Sequence, residues 1–492
     1  MAFSSASLPP AALLVAFVFA CTPGSVGDDS TGTSDTDEPT AGPEPTSTTD
    51  PGDTGEHVPV DCIVVPQTHP EACPGEPCPI TVDVAFECDD FTYGAPGLRV
   101  AAGSELSWLV TSSETDAMLF SADPNGAQRL DVLPPRYSRE GITLATDPAG
   151  ELHALASASP ILGPGAKLIA PGATFHVDPD GVIHEVAGAS AILLAFEIDD
   201  GSRLRAWGSD GPGEFAEGVA DGDTWSWSPT QPPTSVGWER FGLTREGATL
   251  ATGIDGDYNN WRLMVRVGGA EQQIGSTWVS EFPGVYWLSA PVPKAASAAP
   301  PLAIAMQHDA NLFMQIEADL RVVWPADDSY ESLTLPDTGA LRPTCIYGGG
   351  EPPNCEESCH ETASGFEEGA FALAVTDDGF GWLVHVTTNL DQQYTYEPEL
   401  VVDDLEACAH RLLSDQSTGV LHLTRIDFAT REATEVLTQP IGRPALEDLF
   451  LDFDFTPPRA VDLRARGTSL VIGVRTTDPA VRLLRVETAM LP

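Results

Sequence analysis

The feature that most constrains this chain is a strand–turn–strand unit that recurs from about Arg99 onward. Ile142-Thr-Leu-Ala-Thr-Asp-Pro-Ala-Gly150 leads into Glu151-Leu-His-Ala-Leu155. Leu302-Ala-Ile-Ala-Met-Gln-His-Asp-Ala310 leads into Asn311-Leu-Phe-Met-Gln-Ile316. Phe371-Ala-Leu-Ala-Val-Thr-Asp-Asp-Gly379 leads into a strand through Trp382, Val384 and Val386. A Leu-Ala or Ile-Ala pair precedes each turn, and Leu194-Ala195 before Asp199-Asp200-Gly201 is a looser copy. Alternating apolar residues closed by Asp, Pro and Gly predict half-buried strands joined by tight turns. Weaker copies turn at Gly103, Gly247, Gly419 and Gly467, so the markers lie near 103, 150, 201, 247, 310, 379, 419 and 467. Most gaps are about 40–50 residues, the length of a four-stranded propeller blade. Two are longer: one holds the Trp- and Pro-rich stretch from Trp278 to Pro301, the other a cysteine-bearing insertion near 343–369. A two-stranded unit cannot bury a core alone. Stacking such sheets radially buries both faces and leaves only short edges. The expected fold is therefore all-β, a β-propeller of seven or eight blades over 99–492. Tandem β-sandwiches are the alternative, because strand spacing alone does not separate the two.

Ahead of this domain the composition changes. Ala11 to Ala20 reads AALLVAFVFA, shorter than the ~20 apolar residues a membrane span needs and suited to the core of a secretory signal. Val18-Phe19-Ala20-Cys21 resembles a lipobox, which implies a signal peptide over 1–21 and lipidation of Cys21. By the same resemblance, Thr22 after the cysteine favours the outer membrane. Residues 22–60 contain no Lys or Arg and are rich in Thr, Ser, Gly, Pro and Asp. Such a tract cannot bury enough apolar surface to offset its ordering entropy and is expected to be a disordered tether. Its root-mean-square span as a flexible coil is about 35 Å.

The chain of 492 residues carries 73 acidic and 24 basic side chains, a net charge of −49. That field argues against nucleic acid or an anionic membrane surface as a partner. Nine cysteines occur. With Cys21 assigned to lipid, an even set remains in two groups: Cys62, Cys73, Cys78 and Cys88 in a Cys-rich segment over 61–98, then Cys345, Cys355, Cys359 and Cys408. In an oxidising compartment these are expected to form disulfides, and four cysteines allow three pairings in each group.

Motifs that carry chemistry are sparse. Cys355-Glu-Glu-Ser-Cys359-His360 offers two thiols and an imidazole, the groups that attach and ligate haem c, but with three residues between the cysteines instead of two. Asp255-Gly-Asp257-Tyr-Asn259 places oxygen ligands at alternate positions, as a Ca²⁺ loop does. The rest of an EF-hand pattern is missing, so a solvated turn is the competing expectation. No G-x-S-x-G elbow, Walker A loop or H-E-x-x-H helix is present. His153, His385 and His422 fall within strand patterns and read as structural. Paired acids such as Asp199-Asp200 and Asp377-Asp378 sit at turns, where Asp bonds the local backbone. Arg136, Tyr137 and Arg139 are residue types a sialidase-like site would need, without any sign that they converge.

Segments such as LATDPAGELHAL are similar to blades of secreted bacterial propellers of the sialidase and BNR type. Gly222-Asp-Thr-Trp225 resembles the end of an Asp-box hairpin, with Ala220 where that box has its aspartate. The lipobox, the acidic tether, CPGEPCPITVDVAFEC and the β repeat together resemble envelope lipoproteins of myxobacterial type. The resemblance implies an outer-membrane protein facing the periplasm or the cell surface, and implies no activity. The expected function is a non-enzymatic binding module for a protein, glycan or small molecule, touching membrane only through its lipid and needing no cofactor. An envelope glycan hydrolase or lyase is one alternative. A haem-c electron carrier using Cys355, Cys359 and His360 is the other.

Overall fold

A computed structural model describes residues 62–67, 78–88, 98–112, 117–130, 142–158, 161–163, 167–170, 173–187, 192–199, 202–211, 214–221, 224–229, 236–243, 249–257, 260–267, 270–278, 287–290, 302–309, 316–326, 329–335, 341, 358–396, 410–444, 460–477 and 480–491. Cys21, the lipobox and the tether over 22–60 lie outside them. Every regular element among the described residues is a strand except one 3₁₀ turn, Thr488–Met490. The chain begins with β1 (Cys62–Pro66) and β2 (Ile80–Cys88). Four-stranded meanders follow. The first is β3 (Arg99–Ala102), β4 (Ser107–Ser112), β5 (Ala117–Asp123) and β6 (Gly126–Leu130). The next holds β7 (Ile142–Thr146) and β8 (Leu152–Ala158), an inserted hairpin β9 (Ile161–Gly163) and β10 (Lys167–Ala170), then β11 (Ala173–Val177) and β12 (Ile183–Val186). The third is β13 (Ile192–Ile198), β14 (Leu204–Gly211), β15 (Glu214–Asp221) and β16 (Thr224–Pro229). The fourth is β17 (Val236–Leu243), β18 (Thr249–Asp257), β19 (Asn260–Val267) and β20 (Ala270–Trp278). The fifth is β21 (Trp287–Ala290), β22 (Leu302–Asp309), β23 (Ile316–Ala326) and β24 (Ser329–Thr334).

The remaining chain builds two sheets and completes a third. β25 (Ser358–Glu361), β28 (Gln392–Tyr396) and β29 (His410–Asp415) form a small accessory sheet. β26 (Ser364–Val375), β27 (Gly381–Asn389), β30 (Thr418–Asp427) and β31 (Glu432–Gly442) form another four-stranded sheet. β32 (Val461–Arg466), β33 (Ser469–Thr476) and β34 (Ala480–Glu487) are joined by β2 and β1, in the order β1-β2-β34-β33-β32. The closing sheet thus combines the first described strands with the last. Among the described residues, seven sheets have four or five strands.

Contacts between successive sheets close a ring. β3 touches β7, β7 touches β13, β13 touches β17, β20 touches β23 and β24, β22 touches β26, β26 touches β32, and β32 touches β3. This is a β-propeller. Tandem sandwiches would pack two large sheets face to face, and the succession of small sheets around a ring replaces that alternative. The apolar clusters lie between neighbouring sheets, as the ring requires. Val82, Val84 and Phe86 of β2 pack with Val100, Leu109 and Phe120, where the Phe86 and Phe120 rings stack at 4.2 Å. Ala372, Trp382, Val384 and Leu421 pack with Val461, Leu463 and Ile472. A middle strand packed on both faces has no solvent side, so β33 reads SLVIGVRT with every residue buried.

The turn chemistry repeats as the sequence suggests. At Asp147–Glu151, Gly150 N donates to Asp147 O at 2.9 Å and Asp147 N to Glu151 O at 3.0 Å. The Asp147 carboxylate accepts Glu151 N at 2.8 Å. The same arrangement recurs at Asp178–Val182 and Asp199–Arg203. Gly150 sits at φ +90, a region that favours glycine.

The eight sequence markers do not each mark a new sheet. Those at 103, 150, 201, 247, 379 and 467 fall between the first and second strands of six sheets. The marker at 310 falls between β22 and β23, and that at 419 falls at the start of β30, in the sheet already marked by Gly379. Every hairpin of a meander alternates in the same way, so the pattern finds hairpins without fixing their place in a blade.

Candidate functional site

The first strand of each four-stranded sheet lies innermost, as β32 does in the closing sheet, and the Leu-Ala pairs of β7 and β26 place small side chains there. Ala145 on β7, Ala374 on β26 and Ala465 on β32 help line a cavity of about 850 Å³ where these strands run out into their first turns. The size suits a small ligand. The walls come from the ends of β3, β7, β13, β26 and β32 and their turns, so the cavity is one mouth of the central channel. Neighbouring walls are tied by short polar bonds. Thr146 Oγ1 donates to Ala102 O at 3.1 Å, and Asp377 N donates to Gly467 O at 3.2 Å. A Cβ on Gly103 would meet the Trp108 ring at 2.5 Å and Gly150 O at 2.9 Å, so only glycine allows the first turn to pack against the second here.

The charged groups come mainly from β32. Its alternation sends Val461, Leu463 and Ala465 into the apolar cluster shared with β26 and β27. Asp462, Arg464 and Arg466 take the other face. Asp462 Oδ2 accepts Val100 N at 2.8 Å. Arg464 Nη1 reaches Glu197 Oε1 on β13 at 2.9 Å. Two sheets stand between β32 and β13 in the ring, so this ion pair crosses the channel. Arg466 crosses to the turn after β7, donating to Asp147 O at 2.8 Å and Pro148 O at 2.7 Å. Arg485, on β34, is buried and donates to the carbonyls of Gly103, Ser104 and Leu106, to Ser469 Oγ and to Glu487. Burial pulls the Arg464 pKa down, but the Glu197 and Asp462 carboxylates outweigh it and hold it above its usual value. The guanidinium therefore stays charged, and the channel is bridged at this depth by fixed cations and their partners.

No family model matches this chain, and no curated protein matches it. Among solved structures it is similar to the polysaccharide lyase Uly1, with 9% identity over 81% of this chain and 91% of that one and a TM-score of 0.31. It is similar to a gluconolactonase from Xanthomonas campestris, with 11% identity over 89% and 99% and a TM-score of 0.34. A fucose-specific lectin from Aleuria aurantia is similar at 11% identity over 72% and 99%, with a TM-score of 0.32. These likenesses are distant and bear on no residue of the mouth.

Of the residues singled out in the sequence, Asp377 lies in the wall of this mouth. Cys62 and Cys88 form a disulfide across the β1–β2 pair, with Cα atoms 4.2 Å apart. Cys78 and Cys359 are also disulfide-bonded. Cys73, Cys345, Cys355 and Cys408 lie outside the described residues. The haem reading is corrected: the Cys359 sulfur is held in a disulfide and is not available for a thioether. His360 Nε2 instead bonds Asp391 Oδ1 at 2.7 Å. The Ca²⁺ reading changes as well. Asp255 and Asp257 end β18 and pair with Arg262 and Asn260 in a regular ladder. An extended strand does not curl around an ion as a Ca²⁺ loop does. Asn259 lies outside the described residues, as do Arg136, Tyr137 and Arg139. Among the described residues, no group of three or more His, Cys, Asp or Glu is placed to hold a metal ion.

Sequence reasoning missed Arg464, Arg466 and Glu197. One signal was present: six of the chain's 24 basic residues fall between Arg459 and Arg485. Two of them alternate in VDLRAR, a strand whose other face is apolar.

Proposed function

We propose that this protein is a lipid-anchored outer-membrane protein of the cell envelope whose propeller is a non-enzymatic binding module, with its ligand seated in the channel mouth. The observation that carries the reading is the cavity of about 850 Å³ among the ends of five inner strands. Its walls are mainly polar, with charged side chains set among small apolar ones, so fixed polar groups could orient a small ligand there. The anchor rests on Val18-Phe19-Ala20-Cys21 and on the even cysteine count left once Cys21 is assigned to lipid.

The site is tested with full-length protein against a panel of envelope glycans and peptides, beside a Thr468→Trp variant. Thr468 is exposed on the rim, so a tryptophan there fills the mouth without entering a core. A ligand that binds the parent and loses about tenfold or more in affinity for the variant supports the reading. Equal affinity for both places binding elsewhere and sinks it. Cleavage of a panel glycan, seen as new reducing ends or unsaturated products, moves the protein to the hydrolase or lyase alternative. The anchor is tested by Cys21→Ala, which is expected to shift the protein from the membrane to the soluble fraction and abolish lipid labelling. Unchanged fractionation would count against it.

A further inference from the structure

We propose that the mouth receives a small ligand through an oxyanion, a carboxylate or phosphate, seated on the Arg466 guanidinium beside Arg464. This rests on the reading of the mouth as the binding site and names the chemistry it takes. The chain has about three acids for every base, and six of its described arginines pair with one. Arg203 pairs with Asp199, Arg205 with Glu217, Arg443 with Asp415, Arg464 with Glu197, Arg482 with Asp83 and Arg485 with Glu487. Arg466 does not. Its partners are two uncharged carbonyls, Asp147 O and Pro148 O, and no carboxylate among the described residues pairs with it.

Two acids of the wall are committed elsewhere. Glu197 holds Arg464, and Asp147 Oδ1 accepts Glu151 N. Asp377, the third carboxylate of the wall, is exposed on its turn. Three arginines and three carboxylates line the mouth, with Asp462 acting on Arg464 and Glu487 paired to Arg485 behind them, so Arg466 is the cation of the wall that no carboxylate among the described residues pairs. At physiological ionic strength charges beyond about 8 Å are largely screened, so this local set governs what the mouth accepts.

The geometry also fixes how an anion would be held. A guanidinium has five N–H donors in a planar fork that fits carboxylate or phosphate oxygens. The two carbonyls take one bond from each terminal nitrogen and hold the plane in place, so little ordering remains to be done when a ligand arrives. Arg464 lies two residues along the same strand face, and its Nε is buried without a hydrogen-bond partner. The rim adds the hydroxyls of Ser104 and Thr468.

The experiment is calorimetric titration of full-length protein with succinate, its uncharged match succinamide, and inorganic phosphate. The expected result is binding of succinate or phosphate, with succinamide weaker by about tenfold or more, the effect of losing a charge-assisted hydrogen bond. Arg466→Gln is expected to lower the anion affinity by a similar factor, and Arg466→Lys to restore part of it. The better of succinate and phosphate tells which oxyanion the site prefers. The proposal is overturned if neither anion binds, if succinamide binds as well as succinate, or if Arg466→Gln leaves the anion affinity unchanged. Should Arg466→Gln not fold, the comparison of succinate with succinamide on the parent protein decides. Anion binding that survives in Thr468→Trp lies outside the mouth and overturns the site reading too. A neutral ligand lost in Thr468→Trp but indifferent to Arg466→Gln overturns the oxyanion alone and leaves the site standing.

Discussion

Asp83 and Arg482 illustrate how much a single contact carries. Arg482 Nε and Nη2 each donate to one Asp83 carboxylate oxygen at 2.7 Å, and Nη1 donates to Pro440 O at 2.7 Å. Both side chains are withdrawn from water, with 9% and 1% exposure for Arg482 and Asp83. Deleting one charge leaves the other buried without its counter-charge, which costs about 3–5 kcal/mol. Asp83→Asn is therefore expected to lower unfolding free energy by that amount in urea denaturation, and the Asp83→Leu, Arg482→Met pair to recover much of it. His385 acts through pH. It is buried, its Nδ1 has no hydrogen-bond partner, and its ring stacks on His422 at 4.7 Å. Burial, with His422 adding to it, pushes its pKa down to about 3. In the unfolded chain a histidine titrates near 6.5. Between those values the unfolded chain holds a proton that the folded chain refuses, so this contribution to stability is lost as pH falls from about 6.5 toward 3. The slope reaches about 1.4 kcal/mol per pH unit. His385→Phe should flatten the acid limb by that amount when unfolding free energy is measured from pH 7 down to 4, and an unchanged slope would assign the acid sensitivity to other groups. The residues of the mouth were not legible in the sequence for a related reason. Arg464 finds Glu197 across 267 positions and Arg466 finds Asp147 across 319, and no local pattern encodes such a meeting.

At the scale of elements, strands and turns were the legible part. Alternation, Leu-Ala pairs and Asp-Gly turns located hairpins correctly, because each of those signals acts within a few residues. Position within a blade depends on which face meets which neighbour, and that information lies outside the hairpin. The Leu302-to-Ala310 copy looks like Ile142-to-Gly150, yet the first is the second strand of its sheet and the second is an innermost strand. The closing sheet provides the prediction at this scale. β1 is its outermost strand, bound to β2 through a full ladder and the Cys62–Cys88 disulfide. Closing a loop of 26 residues contributes about 3.5 kcal/mol in the chain-entropy account. Replacing both cysteines by serine should raise amide exchange in β1 markedly and leave β33, buried along its whole length, protected. Equal loss of protection in both strands would instead make the disulfide a condition for the entire ring.

For the whole molecule, the ring was foreseeable and its seam was not. CPGEPCPITVDVAFEC has the look of a separate Cys-rich segment, whereas ITVDVAFEC is β2, paired along β34 at the far end of the chain. Asp83 and Arg482 are 399 positions apart. That separation sets a timetable. At about 5–20 residues per second, β2 leaves the ribosome roughly 20–80 s before its partner exists. Through that interval Val82, Val84 and Phe86 have no neighbour from β34, and the strand presents an unpaired edge of the kind that recruits other chains. A transcript that stops short of β34 yields a protein that never acquires a partner for this strand. The ring can close only once β34 has been made, and anything that holds β2 apart until then governs how many copies succeed.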